Sequence, residues 1–295
     1  MDYRRLTNRI GRTADSATND VSERSPSESV SRRSVLRSAA VGVTGLAATS
    51  GTATAGDYGC DYHFPDCPSW FGEVEPESWD FHNWPWGADN LTIFVHGFTN
   101  QNGGRDYAYE VYRNLSDQGY GGYVVACDWN AGDSWDDWYW AKDQAIEVGQ
   151  ELARIFDYYG WTEDHGVTVN LVAHSLGGKL ALECVRELQG TYGHSINSVN
   201  LFGAAVWDEQ PGERFYDGIL YGTNETHNYY SENDDVLGDL YQSAEFGRHA
   251  CGYTGGAGGE PWNWYDHDVS WRIEQHCEYM DYDDGCVWYV DDDLY

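Results

Sequence analysis

The sequence predicts an α/β fold, with a mostly parallel central sheet and helices on both faces. Short apolar runs rich in β-branched residues alternate with longer stretches whose apolar residues recur at helical spacing. This alternation is typical of sheets built from parallel strands. The run at residues 167–172 also has the β-branched content of a strand buried on both faces. No internal repeat is visible, and we predict one domain over residues 56–295.

The predicted elements follow one another closely from residue 91 onward. We predict strands at residues 91–95, 123–127, 167–172, 196–202 and 226–230, and helices at residues 105–118, at residues 138–159 and after residue 178. Residues 56–90 are rich in Trp, Pro and Asp, and we expect them to be irregular and to wrap the core. Residues 207–225 are expected to form a short insertion, large enough for a minimal lid and too small for a full cap domain.

The charge of the chain excludes several classes of partner. It has 17 basic and 49 acidic residues, a formal net charge of −32, and its only lysines are Lys142 and Lys179. Such a surface repels nucleic acids and anionic membranes. An acidic disordered protein would have few aromatic residues, yet this chain has 14 Trp and 23 Tyr. We therefore favour a halophilic protein, because salt at about 1 M shortens the Debye length to roughly 3 Å and screens the self-repulsion.

The first 55 residues have the layout of an export signal. Residues 1–30 show no apolar periodicity, and the paired Arg32 and Arg33 precede a mildly apolar run of small residues that leads to an Ala-x-Ala cleavage pattern ending at Ala55. The arginine pair resembles a twin-arginine signal, which implies secretion through the twin-arginine export machinery. A transmembrane anchor is disfavoured because the run is short and rich in Gly, Thr and Ser, so we expect no membrane span in the mature chain. Cleavage would remove eight Arg and five acidic residues and leave a net charge of −35.

The seven cysteines are predicted to have two different roles. Cys127 falls in a predicted strand and Cys184 in a predicted helix, so we expect both to be buried, unpaired and apolar in character. Two pairs bracket short polar loops and are candidate disulfides, Cys60–Cys67 and Cys277–Cys286, although Cys251 is an alternative partner for either of the last two. No pair has the close Cys-x-x-Cys spacing of a zinc site. We predict neither a metal ion nor a cofactor.

A serine stands at the turn between one predicted strand and the helix that follows it. The strand at 167–172 leads into Ala-His-Ser-Leu-Gly at 173–177, and the residues after Gly178 have helical spacing. A serine at such a turn has a strained backbone and a projecting hydroxyl, and the residues two before and two after it must be small because the strand and the helix nearly touch. Here those residues are Ala173 and Gly177.

This pattern resembles the nucleophile elbow of the α/β-hydrolases, in the variant found in some small microbial lipases. The usual pattern has Gly at both small positions, so Ala173 departs from it. The resemblance implies the α/β-hydrolase fold with a minimal cap or none, and Ser175 as a nucleophile. His-Gly-Phe at 96–98 follows a predicted strand and is similar to the start of the family's oxyanion loop. By this resemblance, the backbone N–H groups of Phe98 and Leu176 would form an oxyanion hole.

The same resemblance places the acid of a catalytic triad between the serine and the histidine in chain order. The acid is expected after the strand that follows the insertion, where residues 231–237 offer three carboxylates. Members of the family commonly have Asp-x-Val at this point, which selects Asp234, with Asp235 and then Glu232 as alternatives. Because acidic residues are frequent all along this chain, an ordinary surface role remains an alternative for each of them.

The base is predicted to be His276, with His267 as the main alternative and His249 as a third candidate in a Gly-rich stretch. In the resembling families the catalytic histidine lies on a loop after the final strand. We expect that strand at residues 269–273, which puts His276 after it and His267 before it. The aspartates on either side of His267 would also favour a solvated, protonated imidazolium, which is a poor general base at neutral pH.

These residues predict a secreted serine hydrolase that cleaves carboxylic esters, a carboxylesterase or lipase whose substrate is a small-molecule or lipid ester. The fold does not determine the substrate, so a peptidase or a polyester depolymerase remains an alternative. A catalytically inactive, Trp-rich binding module is another. Many tryptophans fall in irregular segments or near their edges, where they would line a groove or pack as a secondary core under the loops; they are Trp79, Trp84, Trp86, Trp135, Trp138, Trp140, Trp262 and Trp264.

Overall fold

A computed structural model describes residues 65–98 and 104–294, without the side chains of residues 291–293. The predicted export signal at residues 1–55, with its arginine pair and the cleavage position after Ala55, lies outside the described residues, as does Cys60. None of the helices in the described part of the chain has the length and apolar character that a membrane crossing requires.

The centre of the fold is a sheet that has eight strands within the described residues. The strands are β1 (Gly72–Glu75), β2 (Asp80–His82), β3 (Asn90–Val95), β4 (Tyr123–Cys127), β5 (Thr168–His174), β6 (Ile196–Phe202), β7 (Thr223–Tyr230) and β8 (Trp264–Asp268). Their order across the sheet is β2-β1-β4-β3-β5-β6-β7-β8. The pair β1–β2 is antiparallel, and every other neighbouring pair is parallel. The predicted α/β fold with a mostly parallel sheet is confirmed.

Helices cover both faces of this sheet. The helices are α1 (Gly104–Gln118), α2 (Trp138–Tyr159), α3 (Leu176–Glu187), α4 (Tyr216–Gly222), α5 (Gln242–Ala244) and α6 (Cys251–Thr254). Ile93 of β3 belongs to the apolar cluster under α2 and α3. Its neighbour Phe94 belongs to the cluster under α1 and the C-terminal segment. Successive side chains of a strand point to opposite faces, so each parallel strand contributes to two cores.

The chain reverses its direction across the sheet between β3 and β5. β4 lies on one side of β3, and β5 lies on the other side. In open α/β sheets, ligands bind in the crevice beyond the carboxyl ends of the strands at such a reversal. Two segments begin at this crevice. They are the predicted oxyanion loop, after β3, and the turn that carries Ser175, after β5.

Two regions differ from their sequence-based predictions. Residues 56–90 are not wholly irregular, because β1 and β2 form one edge of the sheet. β1 alternates Val74 with the carboxylates of Glu73 and Glu75, so it has no apolar run to mark it. The insertion at residues 207–225 contains α4 and the start of β7, which begins at Thr223.

The final strand precedes its predicted position. β8 is Trp264–Asp268, and residues 269–273 form a turn in which the N–H groups of Arg272 and Ile273 both donate to Val269 O. The Asp268 carboxylate accepts from the Ser270 N–H at 2.9 Å, which turns the chain away from the sheet. The strand at 269–273 was therefore the wrong prediction, although His276 still follows the last strand.

The predictions of both candidate disulfides are wrong, because Cys67 and Cys286 are free thiols. Cys251, the alternative partner, is also a free thiol. Cys286 is fully buried in the apolar cluster under α1. Spacing along the chain fixes the length of a loop and not the direction of its Cβ atoms. The prediction for Cys127 and Cys184 is confirmed, since both are buried free thiols.

Candidate active site

Ser175 lies directly after β5, in the turn that leads into α3. Its backbone has φ 55° and ψ −124°, a conformation that residues with a Cβ rarely adopt. The Ser175 N–H donates to Phe202 O, and its carbonyl accepts from the N–H groups of Gly178 and Ala205, each at 3.0 Å. The end of β6 and the residues after it therefore hold the serine in the strained conformation that the sequence predicts.

Small residues let three backbone segments meet at this turn. A Cβ on Gly177 would overlap the carbonyl oxygens of Val95 and His96, and a Cβ on Gly97 would lie 2.7 Å from Ser175 Cβ. Ala173 is fully buried, so the methyl group that departs from the usual pattern is accommodated. The loop after β3 thus lies against Ser175.

Replacing Gly177 by alanine is expected to destabilise the fold by about 1–3 kcal/mol. The new methyl group would overlap the backbone after β3 and force it away from the start of α3. Thermal unfolding measures the effect. Gly190→Ala is the matched control, since Gly190 is exposed and nothing lies within 4 Å of an added Cβ there. Equal melting temperatures for the two variants would contradict the close approach.

Asp234 and His276 form a buried pair on the segments that follow β7 and β8. His276 Nδ1 lies 2.6 Å from Asp234 Oδ2, and the two side chains are 8% and 0% exposed. The Leu237 N–H donates to Asp234 Oδ1 at 2.9 Å and the Tyr279 hydroxyl to Oδ2 at 3.4 Å, so the carboxylate has one orientation. In the neutral imidazole, Nδ1 then carries the proton and Nε2 has the lone pair.

The alternative acids and bases are not part of this buried pair. Asp235, Glu232 and His249 are exposed. His267 lies on β8 in a row of directly paired residues that runs through Tyr229 and Phe202 to His174. Three strand spacings of about 4.8 Å separate the two ends of that row by about 14 Å, so His267 does not reach Ser175.

The expectation of a solvated, protonated His267 was wrong. The ring stacks on Tyr229, with centroids 4.7 Å apart, and its Nε2 lies 2.9 Å from His227 Nδ1. Burial, and secondly the neighbouring His227, lower the pKa of His267, despite the opposing effect of Asp266. The packing of β8 against β7 outweighs the charges on either side of His267 in the sequence.

His174 is a site residue that the sequence analysis did not single out. Its Nε2 lies 2.8 Å from the carbonyl oxygen of His276, and because a carbonyl only accepts, this nitrogen carries the proton. Burial lowers the pKa of His174 to about 3, so the ring is neutral. This hydrogen bond ties the loop of His276 to the residue before Ser175. The adjacency of His174 to the serine was the one signal in the sequence.

His96 orients the peptide group between Gly97 and Phe98. The Trp129 N–H donates to His96 Nε2 at 3.3 Å, so Nδ1 carries the proton and donates to Gly97 O at 2.9 Å. The C=O and N–H of a trans peptide point in opposite directions, and the Phe98 N–H therefore points away from the His96 ring. Within the described residues, neither the Phe98 N–H nor the Leu176 N–H has an acceptor.

The Ser175 hydroxyl has no hydrogen-bond partner among the described residues. The structure thus brings Asp234 and His276 into direct contact, and it connects His276 to the serine turn through His174 rather than through the hydroxyl. Hydrogen bonds between catalytic groups are often long in unliganded sites and shorten when substrate binds.

The tryptophans divide between the two predicted roles. Trp84, Trp138 and Trp264 are buried in the core, and Trp79 and Trp135 pack against it, whereas Trp86, Trp140 and Trp262 are exposed. The rings of Trp135 and Trp138 also contact Phe98, with centroids 5.3 Å and 5.2 Å from it. These two rings form an apolar wall beside the predicted oxyanion loop.

One group of side chains in the described regions has ligand atoms close enough for a metal ion. Glu73, Glu75 and His82 bring these atoms within 4.8 Å of one another, on β1 and β2. Glu73 is already ion-paired with Arg105 at 2.7 Å. The group lies at the edge of the sheet, two strands or more from β3 and β5, so it is not part of the site around Ser175.

Several solved structures have a similar arrangement of elements at low sequence identity. A thermophilic esterase from Thermogutta terrifontis is 15% identical, with 75% of this chain and 87% of that chain covered and a TM-score of 0.41. A gene product of Listeria innocua is 12% identical, with 65% and 89% covered and a TM-score of 0.36. An esterase from Pyrococcus furiosus is 12% identical, with 70% and 77% covered and a TM-score of 0.35. Among curated proteins, none matches the sequence significantly.

The family of the chain is shown by a family model. The model described as "Alpha/beta hydrolase of unknown function (DUF900)" matches residues 87–237, just over half of the chain. The match begins before β3 and ends after the predicted acid, so it includes the oxyanion loop and the turn of Ser175. The chain belongs to this family of α/β-hydrolases.

Proposed function

We propose that this protein is a serine hydrolase that cleaves carboxylic esters through an acyl-enzyme. Ser175 is the nucleophile, His276 the general base, Asp234 the acid that orients it, and the N–H groups of Phe98 and Leu176 the oxyanion hole. The observation that carries the proposal is the buried contact of 2.6 Å between His276 Nδ1 and Asp234 Oδ2. The carbonyl of the same His276 also accepts a hydrogen bond from His174, the residue before Ser175.

The roles follow from the hydrogen bonds of these groups. The Ser175 Oγ attacks the ester carbonyl while His276 Nε2 takes its proton, and Asp234 stabilises the imidazolium that forms. The carbonyl oxygen becomes an oxyanion that accepts from the two unoccupied N–H groups. His276 then returns the proton to the leaving alcohol. Water, activated by the same nitrogen, hydrolyses the acyl-enzyme and releases the acid.

Replacing Ser175 by alanine is expected to abolish labelling by a fluorophosphonate probe and to lower the hydrolysis of nitrophenyl esters on the order of 10³-fold or more, because the nucleophile is lost. Labelling is read by mass spectrometry, and a series of acyl chain lengths, assayed in concentrated salt, separates a carboxylesterase from a lipase. Ser243→Ala is the matched control, since Ser243 is an exposed serine on α5. Absence of labelling in the unmodified protein would instead favour a binding module. Labelling without ester hydrolysis would favour a peptidase or a polyester depolymerase.

A further inference from the structure

A polar cluster lies at the same edge of the sheet as Ser175. Its members are Lys142, early in α2, Lys179, in the first turn of α3, Trp207, after β6, and Glu245, after β7. Each of these segments follows the carboxyl end of a parallel strand. Lys142 and Lys179 are also the only lysines of the whole chain, in a protein that carries 49 acidic residues.

The carboxylates near Lys179 are already occupied by other donors. Glu245, which is 3% exposed, accepts from Trp138 Nε1 at 2.8 Å, from Lys142 Nζ at 2.5 Å and from Trp207 Nε1 at 2.7 Å. Glu183 accepts from Arg186 at 2.7 Å and from Arg214 at 2.6 Å. Neither carboxylate bonds to Lys179.

Lys179 is therefore a largely buried lysine whose ammonium has no carboxylate in direct contact with it. The residue is 7% exposed, and in the described structure its Nζ makes no hydrogen bond or ion pair. Burial lowers the pKa of Lys179 to about 8, despite the opposing effect of the nearby Glu183, so the charged form still predominates at neutral pH. Burying a charge without a partner in direct contact costs free energy. A cost of this kind is offset when a ligand supplies the missing charge.

The position of Lys179 connects it to the predicted reaction. It is three residues after Leu176, on the same helical turn as one predicted oxyanion donor. The Trp138 ring, which contacts Phe98 near the other donor, has its Nε1 bonded to the same Glu245 as Lys142. The Trp138 side chain thus contacts both the cluster and the predicted oxyanion loop.

We propose that Lys179 binds a free carboxylate of the substrate, so that the preferred substrates are esters that carry one carboxylate in addition to the ester group. This inference rests on the proposed function and adds a substrate class to it. A single ammonium matches the single charge of a carboxylate. A phosphate monoester would bring a second charge, for which the cluster has no unoccupied cation, since Lys142 is paired with Glu245.

The test compares esters that differ in one charge, in salt at which the protein is folded. The first pair is the 4-nitrophenyl monoester of glutaric acid and its methyl ester, which place the charge on the acyl side. The second pair is the butyryl ester of glycolic acid and that of methyl glycolate, which place it on the alcohol side. In at least one pair, kcat/KM is expected to be about 10- to 100-fold higher for the anionic ester, the range of a hydrogen bond between charged groups.

The variants assign this preference to Lys179. In Lys179→Met, kcat/KM is expected to be equal for the anionic and the neutral ester of each pair. Lys179→Arg, which keeps the charge, should retain most of the preference for the anionic ester. Arg154→Met is the control for net charge, since Arg154 lies on α2 with a side chain that is 59% exposed, and it should leave the ratio unchanged. Equal kcat/KM values within both pairs for the unmodified protein, or a ratio that persists in Lys179→Met, would overturn the inference while ester hydrolysis still stands. No hydrolysis of any of the four esters would overturn the proposed function itself.

Discussion

Replacing His276 by alanine is expected to lower the turnover of an ester on the order of 10³-fold or more, about as much as Ser175→Ala, because the members of a triad act as one unit. The variant removes the only histidine ring that contacts Asp234 in the described structure. The double variant Ser175→Ala/His276→Ala should then be little worse than either single variant. Turnover of a nitrophenyl ester in concentrated salt measures all three.

His267→Ala is the matched control and should stay within roughly tenfold of the unmodified protein, a loss far below that of a triad member. His267 is a partly buried histidine on β8 that contacts another ring, as His276 does, but it lies about 14 Å along the sheet from His174. Its loss affects only the packing of β8. A larger loss of turnover in His267→Ala than in His276→Ala would reverse the assignment of the base.

Elements with a regular pattern could be predicted from the sequence alone. The strands at 123–127 and 196–202 and the helix at 138–159 have the bounds that their patterns indicate. The helix also ends at Gly160, which has φ 67°, a conformation that glycine adopts without strain. Such features depend on residues close together in the chain. Each can therefore be judged from a short stretch of sequence.

Contacts between distant segments could not be predicted in this way. The bond from His174 to the carbonyl of His276 joins residues 102 apart, and nothing local to either residue indicates it. Residues 231–237 contain three carboxylates whose charge alone does not distinguish them. In the structure Asp234 is buried, whereas the other two are exposed. Lys179 is a similar case, since its lack of a direct ion pair depends on which donors reach Glu183 and Glu245.

Dialysis to millimolar salt is expected to unfold this protein, and restored salt to refold it. With cleavage after Ala55, 44 acidic residues would face nine basic ones. At about 0.01 M salt the Debye length is about 30 Å, so the exposed carboxylates repel one another across the whole domain. Circular dichroism and ester hydrolysis should fall together as salt is removed. A neutral osmolyte at the same osmolality should not replace the salt, because it does not screen charge.

The surface of α2 offers a variant that separates screening from other effects of salt. Asp143 and Glu147 are exposed and four residues apart on this helix, a spacing at which like charges destabilise a helix. Replacing them by asparagine and glutamine removes two negative charges without changing the shape of the side chains. The salt concentration at the midpoint of unfolding should therefore decrease in this variant. A protein that stays folded in millimolar salt, or a midpoint that the variant does not move, would contradict the halophilic interpretation of the charge.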